Sequence, residues 1–361
     1  MFMTNFMKVE ISVVIPCYGA EKFLSNITEC LRQQTYQNFE IIFVNDGGSE
    51  EQVRVMEKLA ANNTKIKIIH QPNGGVSKAR NAGIDASSGS WIVFADADDD
   101  IKPYYLQSLR DAGKNNNADI VISGFSCYHF RNQVQQDIFI ELPNYDKIYS
   151  VEDLFTQRKL LYDSPCNKLF NSNFLKNNKF YFPLNFSFYE DEIFMSEIFV
   201  HSAPVILFVR DCGYIYNLRD DSSASSKYHA KFAEFGKYGV SLLKKIILNF
   251  SWDDEKKKQY IINITNILGY DICCNYFKKG NQLSFKEKKQ AIRTEVLDDQ
   301  EIILCHKQRS NKNDFRLKVY HWFLKTNNAF FITLFFNLIF LFKYRFYGLF
   351  VKLLKANKKL N

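Results

Sequence analysis

Short apolar runs that alternate with amphipathic stretches constrain the fold of this chain more than any other feature. The run Ile11 to Pro16 (ISVVIP) is typical of a strand buried on both faces of a parallel sheet. The stretch Glu21 to Gln34 then places its apolar residues at helical spacing. The alternation continues, with predicted strands at 40–44, 66–69, 91–95 and 119–123 and predicted helices at 51–61, 76–86 and 104–114. It predicts an α/β fold with a mostly parallel, open sheet flanked by helices.

The remaining sequence predicts a different organisation. After Phe125 the pattern becomes irregular, with one predicted helix at 151–161, and residues 230–300 are predicted to form helices separated by lysine-rich turns. We therefore expect a C-terminal helical extension. The expected parts are an α/β domain at 1–225, a helical domain at 226–300 and a basic, aromatic-rich helical tail at 301–361.

The segments that follow the predicted strands carry the candidate chemistry. In open α/β sheets, ligands bind beyond the carboxyl ends of the strands. An aromatic ring, a carboxylate, glycine turns and an acidic cluster are expected to meet there. They belong to Pro16-Cys17-Tyr18, Asn45-Asp46-Gly47-Gly48, Asn73-Gly74-Gly75 and Asp96 to Asp100.

The segment from Asp96 to Asp100 contains four carboxylates in five residues. Two unit charges 4 Å apart repel by about 1 kcal/mol in water and by about 4 kcal/mol at an effective dielectric constant of 20. Such a cluster favours a bound cation, and oxygen ligands suit Mg²⁺ or Mn²⁺. The alternative for Asp99 and Asp100 is that they charge the N-terminus of the helix that follows Pro103.

Several common functional classes are excluded by missing motifs. The sequence has no G-x-x-x-x-G-K-[ST] and no G-x-G-x-x-G after the first strand, and it lacks G-x-S-x-G and H-E-x-x-H. Its eight cysteines include no C-x-x-C pair and its six histidines are scattered, so neither a zinc site nor a disulfide framework is indicated. We expect a reducing, cytoplasmic location, and no secretory signal is recognised.

Four ordered segments resemble the inverting family 2 glycosyltransferases, which have the GT-A fold and include enzymes of bacterial surface-polysaccharide synthesis. They are ISVVIPCYGAEKFL, FEIIFVNDGGSE, NGGVSKARNAGIDASSGSWIVFADADD and SFYEDEIF, and the resemblance covers residues 10 to 220. Each segment alone is weak, but the ordered set is highly specific. The implied reaction is transfer of a hexose or N-acetylhexosamine from a nucleotide-diphosphate sugar to a saccharide hydroxyl.

The resemblance also implies how the donor is bound. Pro16, Tyr18 and Glu21 would line the base and ribose pocket. Asp46 would accept hydrogen bonds from the base, which favours a UDP-sugar. Two departures from the family pattern, Gly19 and the additional Gly48, bear on these base contacts. Glycine tolerates positive φ, so both are conformationally permissible.

Further donor and metal contacts follow from the same resemblance. Asp96 and Asp98 match the D-x-D pair, which holds Mn²⁺ or Mg²⁺ at the diphosphate, with Asp98 as the direct ligand and Asp96 also at the donor. Lys78 and Arg80 would face the nucleotide. The alternative for these two is a solvated helix face. Arg219, in YIYNLRDDSSASS, resembles a late segment that closes near the diphosphate.

Asp191, in the Glu190-Asp191 pair, resembles the family's general base, which takes the proton from the acceptor hydroxyl. A single displacement at the anomeric carbon needs one base on the acceptor side and a stabilised diphosphate on the other. The alternative is that Glu190, Asp191 and Glu192 only charge the first turn of a helix.

The positive charge of the chain lies in its last third. Residues 1–240 carry 24 Lys/Arg and 29 Asp/Glu, whereas residues 241–361 carry 23 and 10. Ala329 to Phe342 (AFFITLFFNLIFLF) is a fourteen-residue apolar run within this basic region. We expect a helix lying on the cytoplasmic face of the membrane, peripheral to it, rather than a helix packed on protein or a spanning helix.

The expected function is therefore metal-dependent glycosyl transfer, with a lipid-linked glycan of a capsule, O-antigen or exopolysaccharide as acceptor and no nucleic acid as partner. Two alternatives remain open at this point. One is a sugar-1-phosphate nucleotidyltransferase, and the other is a non-catalytic scaffold of the same fold at the membrane surface.

Overall fold

A computed structural model gives the fold of the chain as two compact units, residues 1–220 and residues 221–361. The residues that the structure describes are 8–115, 117–130, 133–139, 144–145, 147–157, 163–219, 227–308 and 315–345.

The first unit contains a nine-stranded sheet in its described part. Its strands are β1 (Ile11–Cys17), β2 (Phe39–Asp46), β3 (Ile66–Gln71), β4 (Trp91–Phe94), β5 (Asp100–Ile101), β6 (Ile120–His129), β7 (Val134–Ile138), β8 (Lys168–Asn171) and β9 (Ile206–Leu218). Its helices are α1 (Leu24–Arg32), α2 (Glu50–Ala61), α3 (Val76–Ala86), α4 (Tyr105–Asn115), α5 (Val151–Gln157), α6 (Ser172–Asn177) and α7 (Glu190–His201).

The strand order is β3-β2-β1-β4-β8-β6-β9-β5, with β7 paired to β6. The four strands β1 to β4 are parallel, as the alternation of strands and helices in the sequence predicts. All seven residues of β1 except Pro16 are buried, and β2 is buried throughout. Beyond β4 the sheet is mixed, because β8 runs antiparallel to both of its neighbours.

The strands β7, β8 and β9 were not among the predicted elements. They lie in the irregular, aromatic-rich part of the sequence, where β8 has only four residues and β7 has no buried side chain. The helix expected at 151–161 is observed over Val151–Gln157, and residues 158–162 lie outside the described part of the chain.

The second unit is helical in its described part, as expected. It consists of α8 (Phe232–Leu248), α9 (Asp254–Asn275), α10 (Phe285–Ile292), α11 (Gln300–Lys307), α12 (Phe315–Lys325) and α13 (Ala329–Arg345), with a π-helical turn at Arg293–Leu297. Serine or aspartate side chains cap three of these helices, as at Asp253 before α9 and Ser284 before α10. A division of this unit at residue 300 stays a prediction.

The apolar run near the C-terminus is helical, and one of its faces is buried. Ile332 and Phe336 of α13 are fully buried, and the Phe336 ring lies 5.4 Å from that of Tyr270 in α9. The alternative of a helix packed on protein therefore describes one side of α13, and its position on a membrane surface stays a prediction. Within the described part of the chain, no helix combines the length and apolar character needed to cross a bilayer.

The close packing of α3 on the sheet leads to a stability prediction. A Cβ atom at Gly83 would lie 2.1 Å from Cγ1 of the buried Val14 in β1. Overpacking costs about 1–3 kcal/mol, and the helix propensity of alanine returns less than about 1 kcal/mol. We expect Gly83→Ala to lower the free energy of unfolding by about 1–2 kcal/mol in denaturant titrations. The exposed control Glu57→Ala is expected to change it by less than about 0.5 kcal/mol, and equal stability of the two variants would contradict this packing.

Candidate active site

The carboxyl ends of β1, β2 and β4 meet at one edge of the sheet. Cys17 of β1 is in register with Asn45 of β2, and Val14 of β1 is in register with Phe94 of β4. The strand order changes direction here, since β2 and β3 lie on one side of β1 and β4 on the other. Such a switch point is where open α/β sheets bind ligands.

The loop after β1 presents one exposed ring and one unsatisfied carboxylate. Pro16 lies near the end of β1, and the side chain of Tyr18 is 68% exposed. The Oε2 atom of Glu21 is buried and has no hydrogen-bond partner within the described residues. Buried polar atoms are normally paired, so Glu21 offers an acceptor to a ligand hydroxyl or N–H group.

Asp46 holds the glycine turn that precedes α3. Its Oδ1 atom accepts hydrogen bonds from Gln71 Nε2 at 2.7 Å and from the Gly74 amide at 2.8 Å, and its Oδ2 atom accepts one from the Gly75 amide at 2.8 Å. From the sequence, Asp46 was expected to contact the donor base, and its role in holding this turn was not predicted. A carboxylate can accept about four hydrogen bonds, and the contact of Asp46 with the base stays a prediction.

The additional glycine after Asp46 has a steric reason. Gly47 has a φ of +71°, and a Cβ atom there would lie 2.7 Å from the backbone nitrogen of Asn73. At Gly48 a Cβ atom would lie 2.0 Å from the side-chain nitrogen of Gln52. Gly47 therefore allows the loops after β2 and β3 to approach each other, and Gly48 leaves room for the buried side chain of Gln52.

Gln52 joins the first two loops of the site, and the sequence analysis missed it. Its side chain is fully buried; Oε1 accepts from the Ala20 amide at 2.8 Å, and Nε2 donates to Cys17 O at 3.0 Å and to Asn45 Oδ1 at 2.7 Å. Gln52 and Met56 are the buried residues of α2. A glutamine on the buried stripe of a helix was the available signal, because a buried amide needs hydrogen-bond partners.

Asp96 and Asp98 are each paired with an arginine. Asp96 Oδ1 accepts from Arg80 Nη2 at 3.1 Å, and Asp98 Oδ2 accepts from Arg219 Nη1 at 2.8 Å. The Arg219 guanidinium also lies 4.5 Å from the ring centre of Phe23. Burial and the charge of Asp96 raise the pKa of Asp98, while Arg219 opposes that rise. The weak sequence signal at Arg219 thus corresponds to a residue in contact with the acidic pair.

Asp99 does not cap the following helix, so the alternative given for it is wrong. Its side chain is 1% exposed and accepts hydrogen bonds from Tyr214 Oη at 2.6 Å and from the Asn217 amide at 2.9 Å. Asp100 lies in β5, and its Oδ2 atom accepts from Asn217 Nδ2 at 2.9 Å. Both side chains attach the acidic segment to β9 and are not at the N-terminus of α4.

Arg80 connects the acidic segment to the N-terminus of α7. Its side chain is 3% exposed and lies 2.6 Å from Asp191, 3.1 Å from Asp96 and 3.7 Å from Glu190. Its guanidinium also lies 5.1 Å from the ring centre of Phe182. The alternative of a solvated helix face is therefore wrong for Arg80. A direct contact of Arg80 with a donor stays a prediction.

Lys78 lies on the opposite side of α3 and is exposed. A Cβ atom at Gly74 would lie 2.3 Å from Lys78 Cδ, so the lysine stem covers the glycine turn. Lys78 and Arg80 thus face different surroundings although they are two residues apart.

The protonation of Asp191 depends on burial and on its charged neighbours. Burial raises the pKa of Asp191 to about 7, and Arg80 limits the rise. Burial lowers the pKa of Arg80, but the charges of Asp191 and Asp96 raise it above the ordinary value. Arg80 therefore stays charged. Asp191 lies in the first turn of α7, as the alternative given for it requires. It also contacts Arg80, so it does more than charge the helix N-terminus.

Lys168 is a further buried charged residue that the sequence analysis missed. Its side chain is fully buried in β8 and donates to Asn167 Oδ1 at 2.8 Å and to the carbonyl oxygen of Ser164. Burial lowers the pKa of Lys168 to about 7. Its position in a short strand outside the predicted elements explains why periodicity gave no signal.

The carboxylates of Asp96 and Asp98 fit a divalent cation that has further ligands of its own. Their side chains are 34% and 47% exposed, so both reach solvent. Within the described ranges, no three His, Cys, Asp or Glu side chains converge as a complete metal site. Mg²⁺ is commonly bound by one or two carboxylates together with water and substrate phosphates, which matches this donor set.

Comparison with protein families and curated proteins gives consistent matches. The family model described as glycosyl transferase family 2 matches residues 12–178. The Bacillus subtilis protein named uncharacterized glycosyltransferase EpsJ is 39% identical over 115 residues, which is 32% of this chain and about a third (33%) of that protein. The Borreliella burgdorferi cholesterol galactosyltransferase is 26% identical over 315 residues, covering 83% of this chain and 86% of that one.

Among solved structures, the chain is similar to residues 1–349 of Staphylococcus aureus TarS in complex with UDP-GlcNAc. The TM-score is 0.65 at 20% identity, and the alignment covers 93% of this chain and 91% of that one. The likeness confirms the predicted GT-A fold.

The buried amide of Gln52 gives a testable consequence for the two loops. Gln52→Leu would leave the Ala20 amide and the Cys17 carbonyl without this partner, which costs about 1–3 kcal/mol for each unsatisfied buried group. We expect the free energy of unfolding to fall by at least about 1 kcal/mol in urea titrations. The exposed Gln33→Leu is the matched control and should change stability by less than about 0.5 kcal/mol. A stability of Gln52→Leu equal to that of the control would contradict the proposed network.

Proposed function

Because the chain belongs to glycosyltransferase family 2, we propose that its first unit transfers a hexose or N-acetylhexosamine from a UDP-sugar to a saccharide hydroxyl, with inversion at the anomeric carbon. The observation that carries this proposal is the buried Arg80, which lies 3.1 Å from Asp96 and 2.6 Å from Asp191. It brings one candidate metal ligand, Asp96, and the candidate base, Asp191, to the two terminal nitrogens of one guanidinium.

The donor site in this proposal lies over the first three loops. The exposed ring of Tyr18 and the unpartnered Oε2 of Glu21 are available to the base and ribose, beside Pro16. Asp46 holds the turn at Gly74 and orients the loop next to the base. A UDP-sugar is supported by the fold shared with a TarS fragment solved with UDP-GlcNAc.

Asp96 and Asp98 would hold Mn²⁺ or Mg²⁺, which neutralises charge on the departing diphosphate when bound. Arg219 follows β9 and pairs with Asp98, and Lys78 lies in the first turn of α3 and covers the glycine turn at Gly74. We assign them to the negative charge of the donor.

Asp191 is the proposed general base. Its carboxylate takes the proton of the acceptor hydroxyl while the hydroxyl oxygen forms a bond to the anomeric carbon. The bond between that carbon and the diphosphate oxygen breaks, and UDP leaves with the electron pair. Arg80 holds the Asp191 carboxylate in place and, by its charge, favours the deprotonated form that the step requires.

The acceptor that we propose is a lipid-linked glycan of a bacterial surface polysaccharide, at the inner face of the cell membrane. The basic character of residues 241–361 supports it. The membrane acceptor is also supported by the relative whose name gives cholesterol, a membrane lipid, as the galactose acceptor.

We further propose domain boundaries at 1–225, 226–300 and 301–361. The family match argues against the nucleotidyltransferase alternative, whereas a non-catalytic scaffold is an outcome of the next experiment.

The first test measures UDP release from UDP-glucose, UDP-galactose and UDP-GlcNAc with a lipid-linked acceptor. We expect acceptor-dependent release with Mn²⁺ and its loss with EDTA.

Asp191→Asn should lower kcat by about 10²–10⁴-fold with little change in UDP affinity, since it removes the base. Asp98→Ala should weaken Mn²⁺-dependent UDP binding. The control Asp85→Asn changes an exposed carboxylate on α3, and near-normal transfer by Asp191→Asn would overturn the assignment.

The second test uses the pH dependence of transfer. The rate requires deprotonated Asp191, whose pKa burial raises to about 7. We therefore expect kcat/KM to fall tenfold per pH unit below about pH 7, not below about pH 4 where an unperturbed aspartate titrates. Arg80→Gln removes the charge that lowers this pKa, so it should move the acidic limb to higher pH. A limb that stays in place in Arg80→Gln would contradict the electrostatic role of Arg80.

A further inference from the structure

The helix α13 has two apolar faces on opposite sides. One face is buried within the second unit and includes Ile332, Thr333 and Phe336. The other face carries large apolar side chains that are 36–56% exposed, namely Phe330, Phe331, Leu334, Leu338 and Leu341. We call these five residues the outer face of α13.

The spacing of the outer face makes it one continuous stripe. An α-helix turns about 100° per residue, which places Phe330, Leu334, Leu338 and Leu341 within one arc of about 80°, with Phe331 at about 100° from Phe330. The buried residues fall on the other side of the helix. A helix that is apolar on both sides is normally covered on both, so the outer face needs an occupant.

The charge around the outer face selects between possible occupants. Residues 302–361 contain 12 Lys/Arg and one acidic residue, Asp314. Arg316, Lys318 and Lys325 on the preceding helix are exposed, as is Trp322, at 63%. A second copy of the chain would bring two such basic segments together and would be repelled. An anionic lipid surface attracts them, with each Lys or Arg contributing about 1 kcal/mol near the surface.

The distribution of side chains on the described part of α13 indicates how it would meet a bilayer. Aromatic and leucine side chains on one face, with basic residues nearby, are typical of a helix that lies in the plane of the interface.

We propose that the outer face of α13 inserts into the interfacial layer of an anionic bilayer, with the helix axis parallel to the membrane and its inner face packed on the second unit. This docking surface extends the proposed function by naming the lipid contact. It depends on the second unit alone and not on the chemistry of the first.

The test measures sedimentation of the full-length protein with phosphatidylcholine vesicles, with and without phosphatidylglycerol. We expect binding only to the vesicles that contain phosphatidylglycerol, and weaker binding at high salt. Leu338→Glu should lower the partition coefficient by about tenfold or more, because burying one leucine side chain contributes at least that factor. The matched control is Leu304→Glu, which introduces the same charge at an exposed leucine (54%) on α11 and should bind nearly as wild type.

Three outcomes would overturn the proposal: equal binding of Leu338→Glu and wild type, equal loss in Leu304→Glu, or a wild-type dimer in solution that Leu338→Glu converts to a monomer. A dimer that Leu338→Glu converts to a monomer would assign the outer face of α13 to a second copy of the chain.

Unchanged UDP release by Leu338→Glu with a water-soluble acceptor separates a failed docking surface from a failed catalytic assignment. Thermal unfolding of each variant checks that it is folded.

Discussion

The ion pairs of one buried arginine hold the proposed active site together. Arg80 is almost fully buried and lies within 4 Å of Asp96, Asp191 and Glu190. A buried cation without partners would be strongly unfavourable, and so would three clustered, partly buried carboxylates without a cation. The parallel strands bring α3 and the acidic segment together, and α7 adds its first turn from a distant part of the sequence. The fold and the candidate chemistry therefore depend on the same contacts.

The same arrangement separates the two tasks that glycosyl transfer requires. Asp98 is only partly buried and reaches solvent on the side of Arg219, where a diphosphate and a cation could share it. Asp191 is held on the other side of Arg80, and burial keeps its pKa well above that of a free aspartate. One carboxylate is thus accessible to a metal, and the other is suited to exchange a proton near neutral pH.

Local sequence patterns predicted much of this structure, because they report burial and spacing. The apolar runs of β1, β2 and β4 gave the parallel part of the sheet, and the helix at Val76–Ala86 was predicted with its observed bounds. The motifs placed Asp96 and Asp98 at a strand end, as observed.

Local sequence patterns could not predict contacts between residues that are distant in sequence. A helix N-terminus was the alternative for Asp99 because Pro103 follows four residues later, whereas its partners, Tyr214 and Asn217, lie more than 100 residues away. The contacts of Gln52 with Cys17 and Ala20 and the pairing of Arg80 with Asp191 were missed for the same reason.

The coupling between Arg80 and Asp191 can be measured directly with a double-mutant cycle on kcat, using Arg80→Gln, Asp191→Asn and the double variant. If Arg80 acts by positioning Asp191 and keeping its carboxylate deprotonated, the substitution of Arg80 should lower kcat only while that carboxylate is present. The double variant is then predicted to be about as slow as Asp191→Asn alone, so the two effects are strongly non-additive. Losses that multiply, with the double variant slower by the product of the two single effects, would contradict a shared role and with it the assignment of Asp191 as a base organised by Arg80.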